Sequence, residues 1–191
     1  MKKVFICLLS LFLVLGAFTN VQAASFKDVP ATSTFYKEIN YLTSKKIISG
    51  YADGTFKPND AVTRGQAAIM ISRALGLNGT QRTTNFKDVS KSNAASGYIQ
   101  SAVDKGIIQG FSDGTFRPNQ KVTRGQMAIF LVRAFNLTKT TTVTFKDVSK
   151  SSAAYPYIGK LLAAKITSGY SDNTFKPDQA VTRGQFSAFM A

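Results

Sequence analysis

Three arginines, Arg64, Arg124 and Arg183, recur in one setting, the run Val-Thr-Arg-Gly-Gln, written at 62–66, 122–126 and 181–185. In each run a threonine precedes a glutamine by three residues, just ahead of an apolar-periodic stretch, the capping-box signature of a helix start. Each arginine is therefore placed at the mouth of a predicted helix. Unpaired backbone N–H groups and the positive end of the helix dipole favour an anion there. A guanidinium adds a forked pair of donors matched to a carboxylate or phosphate. Gly65, Gly125 and Gly184 follow the arginines and would let a ligand approach the backbone closely. The pattern predicts up to three anion-binding sites.

Other chemistries are closed off by composition. The chain has no histidine, a single cysteine, Cys7, and a single glutamate, Glu38. Nucleophile–histidine pairs, thiol chemistry and histidine-bearing metal sites are thereby excluded. An acid/base pair of aspartates would need two in one cleft, and nothing in the residue order points to one. Asp53 with Asp60 is a thin case for calcium, because such loops need oxygen ligands at several alternate positions and usually a closing glutamate. We therefore expect no catalytic residues, no metal and no cofactor.

The start of the chain has the parts of a secretory signal peptide. Lys2 and Lys3 precede an apolar stretch from Val4 to Leu15, and Val21-Gln22-Ala23 offers a small-residue cleavage site. The apolar run is shorter than the roughly 20 residues a spanning helix needs, so residues 1–23 are expected to be removed and no stable membrane insertion to remain. Cys7 leaves with the leader, and stability must then come from packing without a disulfide. Subtracting Lys2 and Lys3 from 24 basic residues leaves 22 against 10 acidic ones, a balance of +12. Such a balance calls for an anionic partner, and export favours a wall polymer over nucleic acid.

The elements that carry the arginines are repeated with them. Phe26-Lys27-Asp28-Val29 returns as Phe86-Lys87-Asp88-Val89 and Phe145-Lys146-Asp147-Val148, at the offsets of 60 and 59 that also separate the arginines. Three units follow, at 25–79, 85–138 and 144–191, joined by the polar segments 80–85 and 138–142. Each unit reads as a first helix, a turn-rich loop and a second helix. The first helix, from about Phe35 to Lys45 in the first unit, carries Ile39 and Leu42 on one stripe, with Ile99, Ala102, Val103 and Ile158, Leu161, Leu162 as counterparts. Gly106 is a natural left-handed stop for the second copy, whereas Lys46 and Lys165 stand at that place in the others. In the loops, Asp53-Gly54, Asp113-Gly114 and Asp172-Asn173 supply a tight turn, and the aromatics Phe56, Phe116 and Phe175 are expected to be buried ahead of a proline. The second helix has Ala67, Met70 and Ile71, then Met127, Phe130 and Leu131, on its apolar face. Gly76 and Asn136 read as left-handed caps. In the third unit that helix stops at Ala191, about two turns short of its siblings.

These three ordered sets, the Phe-Lys-Asp-Val opening, the Gly-Tyr-x-Asp-Gly-Thr-Phe-x-Pro loop and the Thr-Arg-x-Gln helix start, resemble tandem S-layer homology repeats over residues 25 to 191. The resemblance implies a mainly α fold, a pseudo-threefold bundle of helix-loop-helix repeats with short turn segments and grooves between units. It implies a non-catalytic, monomeric module that anchors exported proteins to the cell wall of a Gram-positive-type bacterium. The ligand implied is a secondary cell-wall polysaccharide, whose pyruvate-ketal carboxylate meets the motif arginine, here Arg64, Arg124 and Arg183. A sugar ring also has an apolar face suited to aromatics such as Tyr51, Phe111 or Tyr170.

The sequence departs from the family pattern twice at this motif. Glycine stands where alanine is usual after the arginine, and glutamine where glutamate is usual, which removes a negative charge beside the proposed anion. The short last helix bears on the groove closed by the third unit, and on Arg183. Two other readings stay open: a general polyanion or peptidoglycan binder driven by net charge, and the anchoring part of a longer wall-active enzyme.

Overall fold

The computed structural model describes residues 26–191, so the leader expected over residues 1–23 lies outside the described residues. Each unit contributes two helices: α1 (Tyr36–Ser44) and α2 (Arg64–Ala74), α3 (Ser96–Asp104) and α4 (Arg124–Ala134), α5 (Tyr155–Ala163) and α6 (Arg183–Met190). The mainly α expectation holds, and among the described residues extended pairing is confined to three isolated antiparallel bridges. All three predicted capping boxes are formed. Thr63, Thr123 and Thr182 each accept from the glutamine N–H three residues on, and the glutamine side chain accepts from the threonine N–H.

The helices pair across repeat boundaries. α2 packs on α3, α4 on α5 and α6 back on α1, so the second helix of every unit rests on the first helix of the next. A triangle of backbone hydrogen bonds closes the ring: Val62 N–H donates to Val181 C=O at 2.8 Å, Val122 to Val62 at 2.9 Å and Val181 to Val122 at 2.9 Å. The three valines are fully buried. β-branched residues suit this extended segment just before a helix start, where a side chain packs well on a short bridge.

Within a unit the loop is clamped by the opening segment. The Asp28 carboxylate accepts from Phe56 N–H and Lys57 N–H, both at 2.7 Å, and Asp88 and Asp147 repeat this on Phe116–Arg117 and Phe175–Lys176. Phe26 lies against Phe56 with ring centroids 5.3 Å apart, and Phe86–Phe116 and Phe145–Phe175 follow at 5.3 and 5.7 Å. Such pairs add about 0.5–1.5 kcal/mol beyond area burial. The ring of Phe26 occupies the place where a Cβ on Gly50 would stand, which explains the glycine that opens each loop. Phe56, Phe116 and Phe175 are buried as expected.

The left-handed positions read from the sequence are present. Gly54, Gly114 and Asn173 turn the loops at positive φ, and Gly76 and Asn136 cap α2 and α4. Lys46 and Lys165 adopt φ of 58°, where Gly106 sits unstrained at 69°. A side chain there costs roughly 1–2 kcal/mol. The segment 80–85 is not a loose tether: Arg82 pairs with Asp104 at 2.9 Å, and Asn85 N–H donates to Gln100 at 2.9 Å.

The loop clamps make stability pH-dependent. Burial raises the Asp28 carboxyl, but the hydrogen bonds from Phe56 and Lys57 outweigh it and leave it below the usual value. Asp53, Asp113 and Asp172 are lowered chiefly by the hydroxyls of Thr55, Thr115 and Thr174. Carboxylates depressed in the folded state contribute stability that is fully present above the unfolded pKa of about 3.9 and is lost as pH falls through the folded value. Melting temperature should therefore hold level from pH 7 to 5 and drop below about pH 4. Asp28→Asn should lower it at neutral pH, by the equivalent of about 1–3 kcal/mol, and flatten the acid limb. Thermal unfolding of both proteins across pH measures this.

Candidate functional site

The capping box places each arginine at the first helical residue, and the ring turns its side chain into the next unit. Arg64 is 3% exposed; its Nε donates to Phe116 C=O at 2.8 Å and an Nη to Gln109 C=O at 2.7 Å, both in the second unit's loop. Arg183 does the same in the first unit, to Phe56 C=O at 2.7 Å and Ser49 C=O at 2.8 Å. Arg124 reaches Phe175 C=O through Nε at 2.6 Å. Among the described residues its two terminal amino groups have no hydrogen-bond partner.

The helix mouths differ from expectation. Their amides are not free for a ligand: Arg64 N–H donates to Gln120 C=O and Gly65 N–H to Pro118 C=O, both at 2.8 Å. The same two bonds run from Arg124 and Gly125 to Gln179 and Pro177, and from Arg183 and Gly184 to Asp60 and Pro58. Threonine side chains take the third N–H. Gly65, Gly125 and Gly184 are buried, and the close approach they permit is made by protein. A Cβ on Gly65 would lie 3.1 Å from Pro118 O. The orphan donors of the helix start are satisfied by the neighbouring loop because a buried N–H must find a partner.

The loop aromatics hold cations. Arg183 lies over Tyr51 at 5.0 Å and Lys57 over the same ring at 4.5 Å. Arg64 and Arg117 share Phe111 at 4.8 and 3.9 Å, and Arg124 and Lys176 share Tyr170 at 4.8 and 4.2 Å. A quadrupole face of this kind stabilises a desolvated cation. Tyr51 remains 38% exposed, so part of the ring is open to solvent. Burial pushes the Arg64 guanidinium down to about 10, with Arg117 adding to the shift and Asp88 opposing it. Burial also lowers Arg124 against Tyr170 and Asp147, and lowers Arg183 against Tyr51, Asp60 and Asp28. At about 10, Arg64 stays charged at neutral pH.

What separates the arginines is the space around them. Arg124 opens into a cavity of about 910 Å³ bounded by Lys165, Ser168, Tyr170, Gln185 and Phe189. Arg183 meets a smaller one, about 200 Å³, beside Tyr51, Gln66 and Arg73. Sequence reasoning tied the short last helix to Arg183. Instead α6 walls the Arg124 groove through Gln185 and Phe189, because both of these cavities lie between one unit's loop and the second helix of that same unit, with the arginine arriving from the unit before it in the ring. Gln66, Gln185 and Lys165 are groove residues that sequence reasoning did not single out as such. The repeat of the capping glutamine was the available signal, but its capping role hid the other.

The three repeats thus close into a ring with basic, aromatic-lined grooves. The sequence model of the S-layer homology domain matches residues 25–68, 85–128 and 144–187, and the chain belongs to that family. It is 32% identical over 189 residues to an endoglucanase of Bacillus sp. (strain KSM-635), which covers 93% of this chain and 20% of the relative. It is 31% identical over 148 residues to a cellulosome-anchoring protein of Acetivibrio thermocellus, covering 72% of this chain and 33% of the relative. It is 32% identical over 197 residues to an S-layer protein of Bacillus thuringiensis subsp. finitimus, covering the whole chain and 24% of the relative. The chain thus spans between a fifth and a third of these relatives. Among the described residues no helix is long and apolar enough to cross a membrane.

The arginines should differ in their structural weight. A hydrogen bond from a charged donor contributes about 1.5–3 kcal/mol. Arg64→Ala removes two and strands two loop carbonyls, whereas Arg124→Ala removes one. Denaturant unfolding should show Arg64→Ala as the less stable variant by about that one bond. Equal losses would mean the second bond contributes nothing.

Proposed function

We propose that this chain anchors non-covalently to the bacterial cell wall by binding an anionic secondary polysaccharide, and that the acidic group read is a pyruvate-ketal carboxylate. The observation that carries the reading is Arg124. Its guanidinium is held by Nε and seated on Tyr170 and Phe175, its two terminal amino groups have no partner among the described residues, and it borders a cavity of about 910 Å³. A fork fixed in this way is organised for a carboxylate before the ligand arrives, so little side-chain entropy is lost on binding. Lys165 adds positive charge to the same wall, and Gln185 and Ser168 offer hydrogen bonds to sugar hydroxyls.

Arg64, Arg183, Tyr51 and Phe111 are assigned the same role in their own grooves, with less free capacity because two donors of each of those arginines are already engaged. One groove would bind weakly. Several grooves on one polymer with many acidic groups bind tightly through effective concentration. Localisation is the exported cell-wall zone of a Gram-positive-type bacterium, and the module acts without catalysis, as a monomer.

Sedimentation with purified sacculi tests this. Binding should be strong to intact sacculi and lost with sacculi made without pyruvylation or stripped of secondary polysaccharide. Arg124→Lys keeps the charge and loses the fork, and should weaken binding about tenfold with the circular dichroism spectrum unchanged. Persistent binding to stripped peptidoglycan, or binding governed only by salt, would instead support a general polyanion binder.

A further inference from the structure

A second basin adjoins the Arg183 groove. It has a volume of about 660 Å³ and shares Ile48, Ser49 and Arg73 with the groove, so Arg73 stands between the two spaces. Its walls carry Lys45 and Lys46 from the end of α1, and Tyr98 from α3 of the next unit. No acidic residue lines it. Among the described residues, Lys45, Lys46 and Arg73 form no ion pair; the four pairs present engage Lys57, Arg82, Arg117 and Lys176. Arg73 is steadied over the Tyr98 ring at 5.5 Å.

Three unmatched cations around one concavity repel each other, and an anion relieves that repulsion. Lys46 is there at a backbone cost, since its φ of 58° is a conformation that glycine adopts freely. The second unit shows the alternative. It keeps Lys105 and Arg133 but has Gly106 in place of Lys46. The fold therefore tolerates the glycine. The third unit keeps the second lysine, as Lys165, but has Ala164 where the first has Lys45, so the adjacent lysine pair belongs to the first unit.

We propose that this basin is a second anion subsite, taking the carboxylate or phosphate on the sugar next along the chain from the one in the Arg183 groove. This rests on the polysaccharide-binding reading above. The groove holds one acidic residue of the polymer and the basin the following one, with Arg73 between them and Tyr98 on the basin wall.

The test is titration calorimetry of the protein and its Lys45→Gln/Lys46→Gly variant against wall-polysaccharide fragments graded from one acidic residue upward. Wild type should gain affinity with length. The variant should lose about three- to tenfold on the longer fragments and nothing on the single residue, as expected for two exposed ion pairs. Equal affinity of both proteins for the longer fragments overturns the subsite, and so does an equal loss at every length, which would be a general field effect. Wild type that binds no fragment overturns the wall-binding reading itself, a distinct result. Carbodiimide amidation of the fragments abolishes the length-dependent gain if the second group is a carboxylate, and mild hydrofluoric acid abolishes it if it is a phosphate. A gain that survives both treatments overturns the proposal.

Discussion

Each helix start in this ring is completed by the unit that follows it. The first two amides of α2, α4 and α6 donate to loop carbonyls of a neighbour, and the adjacent guanidinium is buried in that same loop. A charge taken out of water is costly unless it is hydrogen-bonded. A unit on its own would leave both the amides and the arginine without partners. The three units consequently stand or fall together, and closure joins residues as distant in sequence as Arg183 and Ser49.

The same arrangement leaves a structural arginine with donors to spare for the proposed ligand. Nε is committed to the loop carbonyl of Phe56, Phe116 or Phe175, which fixes the plane of the guanidinium. Specificity is then left to whatever the outer amino groups find. In two of the three sites a second loop carbonyl, Ser49 or Gln109, takes part of that capacity, whereas in the Arg124 site both amino groups are left over among the described residues. Near-identical motifs therefore give unequal sites. The grooves differ again in the helix that walls them: Met70 and Arg73 beside Arg183, and Phe189 beside Arg124.

Charge is distributed with the same economy. Asp53, Asp104, Asp113 and Asp172 are taken up by exposed ion pairs, and Asp28, Asp88 and Asp147 by backbone N–H groups of the loops. Few carboxylates remain to neutralise the lysines at the ends of the first helices. Part of that surplus lines the cavities, as Lys45, Lys46, Arg73 and Lys165.

Much of this could be read from residue order because the governing interactions are local. Capping boxes join residues three apart, positive-φ turns need Gly54, Gly114 or Asn173, and stripes such as Ile39 with Leu42 follow from helix geometry. Tripled spacing marked Arg64, Arg124 and Arg183 as special before any contact was known. What local order could not reveal was the partner of each arginine, since the carbonyls of Phe116, Phe175 and Phe56 lie 52, 51 and 127 residues away. For that reason the helix mouths read as open anion sites, when the glycine amides are taken by Pro118, Pro177 and Pro58 and the glycine surfaces are covered by Pro118, by Ala154 with Pro177, and by the Phe35 ring. The aspartate of the Phe-Lys-Asp-Val opening likewise showed as a repeat marker, and only the fold brought its carboxylate to two amides 28 and 29 residues on. Sequence by itself determined the helices, the turns and which side chains matter. Tertiary closure decided which of their donors are spent on the protein and which remain for a ligand, because a buried polar group must be matched by whatever the neighbouring unit presents.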